Sequence, residues 1–168
     1  MSILSNWLGK AALLTLLPVA VSAQTYGDWM FQKGESATGC RAVTFSPQLD
    51  ETIMFQMLGM KEAPGFEGEG PHVGFLLTRE SAYPSSSDLV FRVSIDSAGI
   101  FDFEGAAIGG TVGSSPLEYD RELMQNFVKY SSAGSYMSVD PGNGFFPIGF
   151  SLRGSSRALR AFEDCMYN

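Results

Sequence analysis

Three groups of residues have side chains suited to chemistry: the single histidine His72, the methionines Met54, Met57 and Met60, and the acids Asp28, Asp96, Asp102 and Glu104. A Ser-His-Asp or Cys-His centre would have to be built on His72. No serine stands in a Gly-x-Ser-x-Gly turn to serve it. A zinc site with one histidine would need carboxylates or the cysteines for its other ligands. The Met-x-x-Met-x-x-Met spacing offers soft thioether ligands of the kind Cu(I) takes. On a strand, however, Met54 and Met60 share one face and Met57 lies on the other, so core packing is the simpler expectation. Paired carboxylates would suit a glycosidase, whose two acids stand about 5–10 Å apart. Asp102 and Glu104 share one strand face and are expected to face solvent, and no other pair is marked. The turn Asp140–Gly144 lacks the length and ligands of a calcium loop. No catalytic residue, metal ligand or cofactor is assigned, and the chain is not expected to be an enzyme.

The elements that would position these residues are mostly strands. Short apolar segments between turn residues predict strands at Trp29–Gln32, Cys40–Phe45, Thr52–Leu58, His72–Thr78 and Leu89–Ile95. In the last, Leu89, Phe91, Val93 and Ile95 alternate with Val90, Arg92, Ser94 and Asp96, the period of a strand with one buried face. A turn at Asp96–Gly99 leads into Ile100–Phe103, and a further strand is predicted from Ala106 to Val112. Ser115-Pro116-Leu117-Glu118 reads as a capping box opening a helix from Pro116 to Tyr130, with Tyr119, Leu123, Phe127 and Tyr130 on its apolar stripe and Met124 and Val128 widening it. Strands Tyr136–Val139 and Phe146–Leu152 flank the turn Asp140–Gly144. A last helix opens at Gly154-Ser155-Ser156, burying Ala158, Leu159, Phe162, Cys165 and Met166 while Arg157, Arg160 and Glu163 face water. Ser85–Ser87 and Pro64–Gly70 are expected as surface loops. Trp29, Phe31, Phe45, Phe55, Phe75, Phe91, Phe101 and Phe103 are expected in an aromatic core. The fold class is α+β: a β-rich sheet or small sandwich with two helices in the C-terminal half.

The first 23 residues have the pattern of a cleavable signal peptide. Lys10 precedes an apolar run from Ala11 to Val21, and Val21-Ser22-Ala23 offers small residues for cleavage, leaving Gln24 first. The run is about half of the ~20 residues that span a bilayer. One globular domain, residues 24–168, would remain, not membrane-spanning once mature and located in the periplasm or outside the cell. Without Lys10 it holds 10 basic and 18 acidic residues, a net charge of −8. That balance argues against nucleic acid or an anionic membrane surface as partner. In an oxidising compartment the two cysteines, Cys40 and Cys165, are expected to form one disulfide, with an intermolecular bond or two separate thiols as the alternatives.

Gly27-Asp28-Trp29, then Cys40, the segment Phe91-Arg92-Val93-Ser94-Ile95-Asp96, the helix Glu122–Lys129, and the ending Phe150-Ser151-Leu152-Arg153-Gly154-Ser155-Ser156-Arg157-Ala158-Leu159 together resemble the invasion-associated locus B family, exported proteins of alphaproteobacteria. The likeness covers most of the chain after the leader in its layout. Gln32 stands where that family usually has a cysteine, and its central cysteine pair is missing, so its disulfide pattern is not carried over. The resemblance implies an exported role, linked in some members to host-cell invasion, and supplies no catalytic mechanism. The function expected is that of an exported, non-catalytic binding or envelope-associated protein whose partner is a protein or an envelope component. A carboxylate-dependent hydrolase of envelope polymers and a periplasmic copper-binding protein are the alternatives.

Overall fold

A computed structural model describes residues 22–34, 39–47, 51–60, 71–114, 117–118 and 121–167. The strands are β1 (Ser22–Tyr26), β2 (Trp29–Lys33), β3 (Cys40–Pro47), β4 (Thr52–Met60), β5 (His72–Thr78), β6 (Ser86–Ile95), β7 (Gly99–Ile108), β8 (Thr111–Ser114), β9 (Leu117–Glu118), β10 (Tyr136–Asp140) and β11 (Ile148–Ser151). The helices are α1 (Arg121–Ala133) and α2 (Ser155–Tyr167). Residues 1–21 of the expected leader, the predicted loop Pro64–Gly70 and the Ser115-Pro116 start of the capping box lie outside the described residues. Ser22 and Ala23 begin β1 and are exposed.

The strands form one antiparallel sheet in the order β1-β2-β3-β4-β5-β8-β7-β6-β10-β11, with β9 added to β5. Of the two expected arrangements, the single sheet is found. Right-handed twist accumulates across so many strands, and the sheet curls into a half-barrel that brings β11 beside β3. The alternation in β6 is as its sequence predicts: Leu89, Phe91, Val93 and Ile95 are buried and Val90 and Arg92 exposed. The concave face is aromatic. The Phe75 ring stacks on Phe103 with centroids 4.5 Å apart, and Phe127 of α1 packs on Phe75 and Phe101 at 5.4 and 5.3 Å. Trp29 and Phe150 flank Phe55 at 6.3 and 5.8 Å. Phe45 departs from the expected core; on the convex face of β3 it is 43% exposed.

Helix α2 lies across β1 to β4 and packs against α1. Its buried face is Ala158, Leu159, Phe162, Cys165 and Met166, as the 3.6-residue period predicts; Glu163, expected in water, is half-buried. The Ser155 hydroxyl donates to the Ser131 carbonyl at 2.8 Å, satisfying a group at the C-terminal end of α1 that has no partner within its own helix.

Several element boundaries differ from those predicted. Leu117–Glu118 is a strand, and α1 begins only at Arg121. The reason lies in β5. β8 pairs only with Leu76–Thr78, leaving the edge at His72–Val73 open, and β9 takes it. Pairing across the fold outweighs the local helix signal. The predicted strand Ala106–Val112 is split by a turn at Gly109-Gly110, and Ser86 and Ser87, expected in a loop, begin β6. The final strand is shorter than Phe146–Leu152, because Phe145, Phe146 and Pro147 stay in the preceding loop.

Candidate functional site

The residues singled out for chemistry do not converge. His72 is 2% exposed on β5, opposite Met60 and Glu118 in the strand register. Met57 is fully buried on the concave face, whereas Met54 and Met60 are half-buried on the other. The Met54 sulfur accepts a 3.4 Å contact from Arg41 Nη2. No cluster of three or more His, Cys, Asp or Glu side chains suited to a metal ion occurs among the described residues. Cys40 and Cys165 form a disulfide with Cα atoms 6.0 Å apart, joining the start of β3 to the end of α2.

The acids are engaged in structure. Asp96 accepts from the backbone N–H groups of Ser135 and Tyr136 at 2.8 and 3.2 Å, fixing the start of β10. Arg92 grips Asp102 with two bonds of 2.6 and 2.8 Å, and Arg153 grips Asp28 with bonds of 3.2 and 2.5 Å. Hydrogen bonding from Arg92 lowers the Asp102 pKa, and hydrogen bonding from Arg153 and then Ser151 lowers that of Asp28. The carboxylate of Glu51 is lowered first by the Ser81 backbone N–H, next by the Ser81 hydroxyl and more weakly by the nearby Arg79. All three are held ionised, whereas a general acid needs its pKa raised. Glu104 lines a separate cleft of about 390 Å³ with Asp88 on the β6–β7 face.

A different site arises where the two ends of the sheet meet. The β1–β2 turn, Gly27-Asp28, abuts the corner between β11 and α2. The Asp28 N–H donates to the Arg153 carbonyl at 2.9 Å, and the Trp29 indole N–H donates to the Ser151 carbonyl at 2.9 Å. Gly154 makes the approach feasible: its φ is +92°, and a Cβ there would fall 1.7 Å from the Tyr26 carbonyl oxygen. The residues that carry the family resemblance at both ends of the chain, Gly27–Trp29 and Ser151–Gly154, thus form one corner.

Beside this corner a cleft of about 520 Å³ opens along β11. Thr25, Asp28 and Met30 lie on one wall, Phe45 to Pro47 on another, and Gly149 and Ser151 on β11 itself. β11 ends the sheet, and the Ser151 carbonyl faces the seam. Main-chain groups alternate sides along a strand, so the N–H and C=O of Gly149 face the same way. A second cleft of about 350 Å³ adjoins it. Ile53 in the second cleft pairs with Ser46 in the first, and Ile148 precedes Gly149. In the second cleft the Arg79 guanidinium sits 4.3 Å from the Tyr83 ring centroid and 5.6 Å from that of Phe145. Burial there raises the Tyr83 phenol pKa. Phe146 stands on the rim, 90% exposed. A strand edge in a cleft bordered by Met30, Phe45 and Pro47 can hold an extended chain.

Sequence reasoning missed Arg79, Phe145 and Phe146. The available signal was Gly144-Phe145-Phe146-Pro147, because proline disfavours a continuing central strand.

No family model matches the sequence, and no curated protein is significantly similar to it. Among solved structures, the crystal structure of invasion associated protein B from Bartonella henselae is similar, with a TM-score of 0.53 and 20% identity. The match covers 88% of this chain and 99% of that one. The two share a fold, in agreement with the resemblance read from the Gly27–Trp29 and Phe150–Leu159 segments. No helix among the described residues is long and apolar enough to cross a membrane.

Proposed function

We infer that this chain is an exported protein of the envelope or cell exterior that works by binding, and that the seam along β11 is where an extended segment of its partner is held. The observation that carries the reading is the seam itself: the outer edge of β11 at Gly149, bordered by Phe45 and Met30, with exposed Phe146 on the adjoining rim. An exposed apolar residue that stands alone needs no explanation, but two aromatic groups bordering adjoining clefts on a strand edge form a recognition surface. Export is supported by the leader pattern, the intramolecular disulfide and the shared fold. The fold neighbour is named for invasion, so host surface proteins belong among the partners to be sought.

The test is a pull-down of the tagged mature chain from native envelope and from host-cell membranes, with Phe45→Ser and Phe146→Ser as controls. Both side chains are exposed, so the variants should fold. A reproducible partner held by the wild type and lost by either variant is expected. No reproducible partner, or equal retention by both variants, overturns the reading. Release of soluble sugars from envelope polymers, abolished by Asp28→Asn or Glu51→Gln, would favour a hydrolase instead.

A further inference from the structure

If export proceeds by removal of the leader after Ala23, the chain begins at Gln24, and that residue sits where a specific modification can occur. We propose that Gln24 closes to pyroglutamate, with the Tyr26 hydroxyl assisting the step. The proposal rests on the export reading and is independent of what the β11 seam binds.

β1 is the edge strand of the sheet, and Gln24 is exposed on it. Tyr26, two residues on and therefore on the same face, donates its hydroxyl hydrogen to Gln24 Oε1. The tyrosine is itself held in place. It pairs with Trp29 at the hairpin end, its carbonyl lies against Gly154, and the Arg157 guanidinium of α2 stands 5.4 Å from its ring centroid. Removal of the leader turns the Gln24 backbone nitrogen into a primary amine three carbons from its own side-chain Cδ. Its lone pair attacks Cδ, and the new N–Cδ bond closes a five-membered lactam. The Cδ–Nε2 bond breaks, and Nε2 leaves as ammonia carrying the proton shed by the α-nitrogen. Nothing is oxidised or reduced. Negative charge gathers on Oε1 in the tetrahedral adduct, the atom to which Tyr26 donates. The lactam removes the charged terminus and closes the exposed edge to aminopeptidases, while the register from Gln24–Phe31 to Tyr26–Trp29 stays in place.

The test is intact-mass and N-terminal fragmentation analysis of the chain recovered from its native cells. A chain starting at residue 24 and lighter by one ammonia is the expected result. A free Gln24 amine overturns the cyclisation and leaves export standing. A chain starting elsewhere overturns the proposal through the cleavage site on which it rests. The role of Tyr26 is read separately, by releasing a free Gln24 terminus with a protease and following ammonia loss over time. Tyr26→Phe keeps the ring and removes the donor. It should slow closure about fivefold, the worth of one exposed hydrogen bond, and equal rates would remove Tyr26 from the mechanism.

Discussion

The β1–β2 and β6–β7 hairpins are both antiparallel ribbons, and each carries an aspartate gripped by an arginine. In β6–β7 the grip is local: Arg92 and Asp102 face each other directly across the strands. Its ten-residue strands alternate buried and exposed positions over most of their length, so the ribbon's own sequence defines its register. β1–β2 is half that length, and β1 is exposed almost throughout. What fixes it comes from the far end of the chain. Asp28 meets Arg153 across 125 residues, Trp29 reaches Ser151, and the neighbouring Cys40 is bonded to Cys165. One hairpin is specified by its own pattern and the other by closure of the whole fold. The second kind should fail when closure fails.

The largest test of that difference is reduction of the disulfide. It spans a sequence separation of 125 residues, for which loop entropy gives about 5 kcal/mol as an upper limit, since native strain and a compact unfolded chain reduce it. The urea midpoint should fall on reduction. Amide hydrogen exchange should quicken first in β1, β2 and α2, and last in β6–β7. Uniform quickening would mean that the two hairpins do not differ in the way described.

A smaller and sharper test compares two glycines with left-handed backbone. A Cβ on Gly109 would meet nothing within 4 Å, so Gly109→Ala should cost about 1 kcal/mol from the backbone alone. At Gly154 the same methyl would collide with the Tyr26 carbonyl, so Gly154→Ala should cost about 3 kcal/mol by adding steric overlap to strain. Thermal or urea denaturation measures both. Equal losses would show that the corner yields easily.

The same contrast decides what was legible in the sequence. β6, the turn at Asp96 and the buried stripe of α2 were readable because each rests on a period or a turn within a dozen residues. The disulfide was readable from a count of two cysteines and a compartment. The β11 seam was not, because its walls come from residues 25–30, 45–47 and 149–151, and no local pattern says that a sheet will curl until those segments meet. The start of α1 was misread for a related reason. Leu117 and Glu118 have good helix-start chemistry, but the open edge of β5 lies more than forty residues earlier in the chain.

The smallest effect expected is electrostatic, and it separates the ion pairs from the close packing around them. Asp28 and Asp102 both have their pKa lowered below the ordinary 3.8, chiefly by hydrogen bonding to their arginines. A lowered carboxylate contributes stability above its unfolded pKa and loses it as pH falls through the folded value, so both pairs should weaken below about pH 4. Both are exposed, and salt screens them. Asp28→Asn and Asp102→Asn should therefore each flatten the acid limb of the stability–pH curve slightly and by similar amounts, the difference from wild type shrinking as salt is added. The similarity is the informative part. At the corner the Asp28 N–H bond to Arg153, the Trp29 indole bond and the Gly154 approach all survive Asp28→Asn. If that variant instead lost as much as Gly154→Ala, the charge pair, and not the meeting of the two backbones, would be what holds the ends of the sheet together.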